Sequence, residues 1–283
     1  MPLTQLDPSL AENTARRFAG LERLYGPEGL LRLGQARIAV AGIGGVGSWC
    51  AEALARSGVG SLVLIDMDHL SESNVNRQLH ALTHTLGQSK VAAMGERILG
   101  INPACRLELI DDFVEPSNVG QMLDGDLTLV IDCTDQASAK VAMILEARRR
   151  HMPIVVCGGA GGKTNLLSLR AGDMSQAVND ALLAKLRNTL RRQHGFPKAS
   201  AQGGTPRKRV PKMGVRALWF DQQAILPAQW AIQANAQSDA DTESLQGLSC
   251  AGYGSAVAIT AGMGMAAANE AMQWVLGGGR WPS

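Results

Sequence analysis

Apolar residues fall along this chain in two alternating patterns. Short unbroken runs, RIAVA (37–41), SLVLID (61–66), CRLELI (105–110), LTLVID (127–132) and PIVVC (153–157), predict strands of one sheet. Between them, apolar positions recur at helical spacing. Val46, Trp49, Cys50, Ala53, Leu54 and Ser57 share one helical face, and Val91, Met94 and Ile98 share another ahead of the Asn102-Pro103 break. A further helix separates LTLVID from PIVVC and ends in Arg148, Arg149 and Arg150, where cations suit the helix dipole and so serve structure. This alternation, up to about residue 160, predicts an α/β protein with a doubly wound, mostly parallel sheet. Beyond it lie strand-like TNLLSLR and VRALWF, then an Ala/Gly-rich segment, so a C-terminal extension with additional strands is expected. Residues 1–36 form an N-terminal segment, and 37–283 a single domain without internal repeats.

The uncharged stretch CAGYGSAVAITAGMGMAAA (250–268) has the length of a bilayer crossing. Its hydropathy rests on Ala and Gly, and neither a basic cluster nor an aromatic belt flanks it. That predicts a tightly packed interior segment and no stable membrane association. MPLTQLDPSLAENTARRF lacks the apolar core of a signal peptide, and Cys50, Cys105, Cys133, Cys157 and Cys250 form no C-x-x-C pair. Reduced thiols in a cytoplasmic protein are therefore expected, not a disulfide scaffold or a structural zinc site.

RIAVA leads straight into Gly42-Ile43-Gly44-Gly45-Val46-Gly47, which puts G-x-G-x-x-G between a strand and a helix. Glycines there let backbone N–H groups approach an anion at the helix N-terminus. Asp66, nineteen residues beyond Gly47 at the end of the next strand, can accept bonds from a ribose. Nicotinamide dinucleotides and ATP both use such a turn, and the residues that follow favour ATP. DMDHLSESNVNRQLH (66–80) places Asn74, Arg77 and Gln78 in a loop, with Lys90 thirteen residues past Arg77. Hydride transfer has no need of cations at that point, whereas adenylation accumulates charge on the α-phosphate and the departing pyrophosphate. LVIDCTDQ (129–136) puts Asp132 and Asp135 at the carboxyl edge of the sheet, where a carboxylate can hold Mg2+ on a triphosphate.

Taken together, Gly42-Ile43-Gly44-Gly45-Val46-Gly47-Ser48, Asp66-x-Asp68, Asn74-x-x-Arg77-Gln78, Lys90 and Asp132-x-x-Asp135 resemble the motifs of the ubiquitin-activating-enzyme superfamily and its bacterial relatives. RFAGLERLYG, INPACRLELIDDFV, VCGGAGGKTN and LSCAGYGSAVAITAG extend the likeness over nearly the whole length, toward that superfamily's tRNA threonylcarbamoyladenosine dehydratases. The resemblance implies a Rossmann-like fold, ATP and Mg2+ as cofactors, and a homodimer. It also implies ATP-dependent cyclisation of threonylcarbamoyladenosine next to the anticodon, through adenylation of its threonyl carboxylate. By the same resemblance Gly42, Gly44 and Gly45 lie under the phosphates and Asp66 holds the ribose. Asn74, Arg77, Gln78 and Lys90 bind the triphosphate and the charge developing on it, and Asp135, with Asp132 behind it, serves the metal. An arginine from the partner's N-terminal segment, Arg17 or Arg23, completes the site. The loop Gly158–Gly162 either lies beside the acyl-adenylate or is a tight strand exit.

Charge adds a second feature. Residues 181–220 hold ten basic side chains and no acidic one, in a chain whose net charge is only +2. The insert 181–216, with Arg207, Lys208, Arg209 and Lys212 in GFPKASAQGGTPRKRVPK, reads as a solvated loop or as a mobile arm for a polyanion. The resemblance tips it toward tRNA. The lack of paired C-x-x-C zinc ligands departs from relatives that activate ubiquitin-like proteins, and so favours the dehydratase over an adenylyltransferase for a small sulfur-carrier protein. A nucleotide-binding regulatory module is a third reading, and docking of a sulfur-transfer partner such as a cysteine desulfurase stays open. Cys250 is expected to be buried and inert rather than a thiol nucleophile, and His80, nearest the nucleotide motif, to be structural.

Overall fold

The computed structural model describes residues 8–199, 210–226 and 253–281, with side chains from residue 15 onward. Five parallel strands follow the apolar runs: β1 (Arg37–Ala41), β2 (Ser61–Ile65), β3 (Arg106–Ile110), β4 (Leu129–Asp132) and β5 (Ile154–Cys157). Between them run α2 (Gly47–Arg56), α3 (Lys90–Ile101), the short α4 (Val119–Met122) and α5 (Ala137–Arg149), all preceded by α1 (Pro8–Gln35). The extension contributes β6 (Leu169–Asp173), α6 (Ala181–Gln193), β7 (Arg216–Phe220) and α7 (Val257–Leu276). The sheet order is β3-β2-β1-β4-β5-β7-β6, with β6 alone antiparallel. β1 pairs with β2 on one side and β4 on the other, so the winding reverses beside it. In sheets of this kind, ligands bind in the crevice at the carboxyl ends of those strands.

Helices cover both faces. Leu33 of α1, Leu54 of α2, Met94 and Ile98 of α3 and Met263 and Ala267 of α7 share one buried cluster. Met122 of α4, Met143 and Ile144 of α5 and Leu183, Leu186 and Leu190 of α6 share the other. The Ala/Gly-rich stretch is the interior packer its composition predicts: a side chain at Gly264 would run into the Val46 carbonyl, so α7 lies backbone-close on the start of α2. Residues 250–252 of that stretch, Cys250 among them, lie outside the described residues. No helix among the described residues is long and apolar enough to cross a membrane.

α1 covers most of the N-terminal segment and kinks at Gly26 (φ 75°), ahead of Pro27. Two expectations are amended. TNLLSLR is not one strand: Asn165 Oδ1 accepts from Leu167 N-H (3.0 Å), forming a tight turn, and β6 starts only at Leu169. The basic insert does not begin at residue 181, because Ala181–Gln193 is an amphipathic helix N-capped by Asp180, whose Oδ1 accepts from the Leu183 N–H (2.8 Å). Arg207, Lys208 and Arg209 lie outside the described residues. Arg149 and Arg150 both donate to Glu146, the structural role their place at a helix end predicts.

Candidate nucleotide site

The chain leaves β1 through Gly42, whose φ of 83° and close approach to Cys133 and Thr134 admit no side chain. A side chain at Gly47 would strike the Gly42 carbonyl, so the turn closes tightly against the first turn of α2. Among the described residues no acceptor meets the backbone N–H groups of Gly44 and Gly45. Those donors stand at a helix N-terminus, where a phosphate is the natural partner.

Asp66 follows β2 and turns toward this loop. Its Oδ2 accepts from the Ile43 N–H (2.6 Å) and its Oδ1 from the Asp68 N–H (2.9 Å). Lys90, buried at the start of α3, donates to Asp68 Oδ2 (2.6 Å) and stands 3.8 Å from Asp66 Oδ1. Burial pushes the Asp66 carboxyl above its usual range, against the pull of Lys90 and the two backbone donors. Asn74 is buried in a 3-10 turn, where its Oδ1 accepts from the Ser71 N–H (3.0 Å). That turn aims the next residues at the glycines. The Arg77 chain packs over Gly45 and its Nη1 donates to Ser73 O (2.8 Å) and Asn76 Oδ1 (2.9 Å). Gln78 is buried beside Gly44, and its Oε1 has no partner among the described residues. The Nε2 end of Gln78 and the orphaned backbone donors beside it are groups that suit an anion.

The other carboxylates divide. Asp132 is fully buried, its Oδ1 bound by Lys140 Nζ (3.0 Å) and Thr134 Oγ1 (2.7 Å). These bonds fix the β4–α5 connection, and Asp132 Oδ2 is buried with no partner among the described residues. Asp135, three residues on, is exposed at the carboxyl edge. Arg17 and Arg23 lie on α1, and Arg17 Nη1 donates to the carbonyls of Gly100 and Ile101 (3.3 and 3.0 Å). That is the end of α3 remote from Lys90, about 18 Å away by helical rise, so Arg17 is not part of its own chain's site. His80 is buried with neither ring nitrogen partnered, and burial and the nearby Lys90 and Arg97 push its pKa down to about 4, so it stays neutral.

The buried Lys140 and Lys163 have no place in the sequence reading. Lys140 carried a signal, because it shares one helical stripe with Met143, Ile144 and Ala147, and a lysine facing the core requires a buried carboxylate. Lys163 donates to Asn179 O (2.8 Å) and to Gln222 O, while Asp180 Oδ2 accepts from the Gly159 N–H (2.8 Å). The loop Gly158–Gly162 is thus tied to the start of α6 and to the chain beyond β7.

Sheet order, the glycine turn and the carboxylate beside it define a doubly wound nucleotide-binding protein. The chain belongs to the ThiF family, whose model matches residues 15–281. It is 38% identical to the tRNA threonylcarbamoyladenosine dehydratase of Haemophilus influenzae, over 94% of this chain and 95% of that one. The crystal structure of E. coli tRNA N6-threonylcarbamoyladenosine dehydratase, TcdA, in complex with ATP is similar over 93% of this chain and 95% of that chain, at 36% identity and a TM-score of 0.79. The same protein in complex with AMP gives 38% identity and 0.78 over the same shares.

Proposed function

We propose that this chain is an ATP-dependent tRNA-modifying enzyme that dehydrates threonylcarbamoyladenosine next to the anticodon to its cyclic form. The observation that carries the reading is the Gly42–Gly47 turn at the reversal of the sheet, with unsatisfied N–H groups above and Asp66 beside it, in a chain this similar to a dehydratase solved with ATP. ATP supplies the adenylyl group that makes a carboxylate oxygen a leaving group. The threonyl carboxylate displaces pyrophosphate from the α-phosphate, the substrate's carbamoyl nitrogen attacks the activated carbonyl, and the carboxylate oxygen departs with AMP. The net loss is one water.

The chain's residues bind and stabilise. Gly44 and Gly45 N–H groups take phosphate oxygens and Asp66 takes the ribose hydroxyls. Arg77, Lys90, Asn74 and Gln78 line the path of the phosphates, where fixed donors act most strongly on charge that appears only in the transition state. No group of three or more His, Cys, Asp or Glu among the described residues could hold a metal. A single exposed carboxylate, Asp135, fits Mg2+ carried on phosphate oxygens and waters, which is how that ion commonly binds. Asp132, already paired with Lys140, does not fit as a ligand. The reading includes a cytoplasmic homodimer in which Arg23 or Arg17 of one protomer reaches the site of its partner, and leaves a sulfur-transfer partner to a pull-down with a cysteine desulfurase.

Incubating the protein with ATP, Mg2+ and tRNA bearing threonylcarbamoyladenosine should yield a nucleoside lighter by one water by mass spectrometry. Arg77→Ala should lower that rate by about 10²–10³ with an unchanged unfolding transition. Near-normal turnover by the variant removes Arg77 from the site. Acyl-adenylate formation on a small protein with a C-terminal Gly-Gly, and none on tRNA, would select the adenylyltransferase instead.

A further inference from the structure

Charge on this molecule is segregated by edge and by face. α5 and α6 lie side by side on one face of the sheet, and their C-terminal ends meet. The Arg148 guanidinium stacks over the Phe196 ring at 4.6 Å from its centroid and Nη1 reaches His194 O (3.5 Å). Arg191 is held by Pro197 O (3.1 Å). Arg192 and Lys198 are exposed around this junction, and Lys185 is exposed two turns earlier on the same side of α6 as Arg192. Among the described residues no carboxylate pairs with Arg148, Lys185, Arg191, Arg192 or Lys198, whereas Glu146 already holds Arg149 and Arg150. The window 181–220 carries +10, so the remaining residues sum to −8. The patch is therefore a local reversal of sign, not an overall basic character.

Its position is specific. α6 starts at Asp180, which holds Gly159 at the carboxyl edge of β5, and runs away from it for thirteen residues. Its basic end is thus about 20 Å below the edge that carries the nucleotide turn. A nucleotide reacting at that turn is too far away to touch the patch, whereas a distance of about 20 Å is within the length of a duplex stem continuing from it. Side chains fixed by stacking and by carbonyls offer donors to phosphates without first being ordered, and phosphate contacts hold RNA by shape rather than by sequence.

We infer that the junction of α5 and α6 is a phosphate-binding surface for a double-stranded stem of the tRNA substrate, one that positions the RNA and takes no part in the chemistry. The inference rests on the tRNA reading above. Its test is the quadruple variant Arg148→Gln, Lys185→Ser, Arg192→Ser, Lys198→Ser, with the charge-keeping pair Arg148→Lys, Arg192→Lys as control. Filter binding of tRNA over a range of salt should show the slope of log K against log salt becoming shallower by about three in the quadruple variant. It should stay near the wild-type value in the control. KM for tRNA should rise at least tenfold at physiological salt while kcat and KM for ATP hold. An unchanged slope in the quadruple variant, with wild-type protein binding and dehydrating its tRNA, overturns this surface and leaves the function intact. Failure of the wild-type protein itself to bind tRNA overturns the reading beneath it.

Discussion

Asp66 and Asp132 follow strands of nearly the same sequence, SLVLID and LTLVID, on either side of β1, and each stands beside a lysine. Their surroundings set them to different work. Asp66 keeps one edge toward the glycine turn, accepts from the turn's Ile43 N–H, and has its lysine at 3.8 Å with the nearer bond going to exposed Asp68. Asp132 has its lysine at 3.0 Å, both partners fully buried, with Thr134 on the same oxygen and Oδ2 buried without a partner among the described residues. A strand-end aspartate in a sheet of this kind is therefore either a group for the ligand or a strut beneath it. Which one it is depends on whether the following helix presents a lysine to the core.

That contrast can be broken most severely from the Lys140 side. Lys140→Met leaves Asp132 as an unpaired buried charge and should cost about 3–5 kcal/mol of stability, seen as a fall in the urea midpoint. Adding Asp132→Asn should recover much of the loss, since the buried charge is then gone. An equal loss in Lys90→Met would erase the distinction between the two aspartates. A smaller effect belongs to the Asp66 side, where His80 sits near Lys90 and Arg97. Between its ordinary 6.5 and its native value of about 4, the unfolded chain takes up a proton at this ring and the folded chain does not. Stability should therefore fall as pH drops through that window, by up to about 3 kcal/mol. Urea midpoints at pH 7 and pH 4.5 should differ less in His80→Gln than in the native protein; equal differences would locate the acid loss elsewhere. The smallest effect expected is on ligand affinity. Asp66→Asn keeps an acceptor for Ile43 but removes the charge, and should weaken ATP binding about ten- to hundredfold by calorimetry. Unchanged affinity would make Asp66 a strut like Asp132.

Strands and turn were legible because their signals are local. Five apolar runs, G-x-G-x-x-G and a carboxylate after the second run can each be read within a few residues, although β1 and β4 pair across 91 residues. The roles of Asp132 and Lys140 depend on which side of α5 faces the sheet, and the apolar run alone does not distinguish a strut from a ligand group. The basic window reads as one arm because charge is visible in sequence, whereas the three buried leucines of α6 show their helical face only once α6 packs on the sheet.

The packing of α7 on α2 bears on how the protein is made. The turn at residues 42–47 emerges from the ribosome early, yet the surface that backs the first residues of α2 is supplied by Gly264 and its neighbours near the other end of the chain. Until that last helix arrives, the Val46 carbonyl and the Trp49 Cβ lack the backbone surface that Gly264 supplies, although Trp49 Nε1 can already donate to Arg77 O. Nucleotide-binding capacity is thus a property of the finished polypeptide, and synthesis halted in the basic window leaves a turn that is spelled correctly and cannot yet hold its ligand.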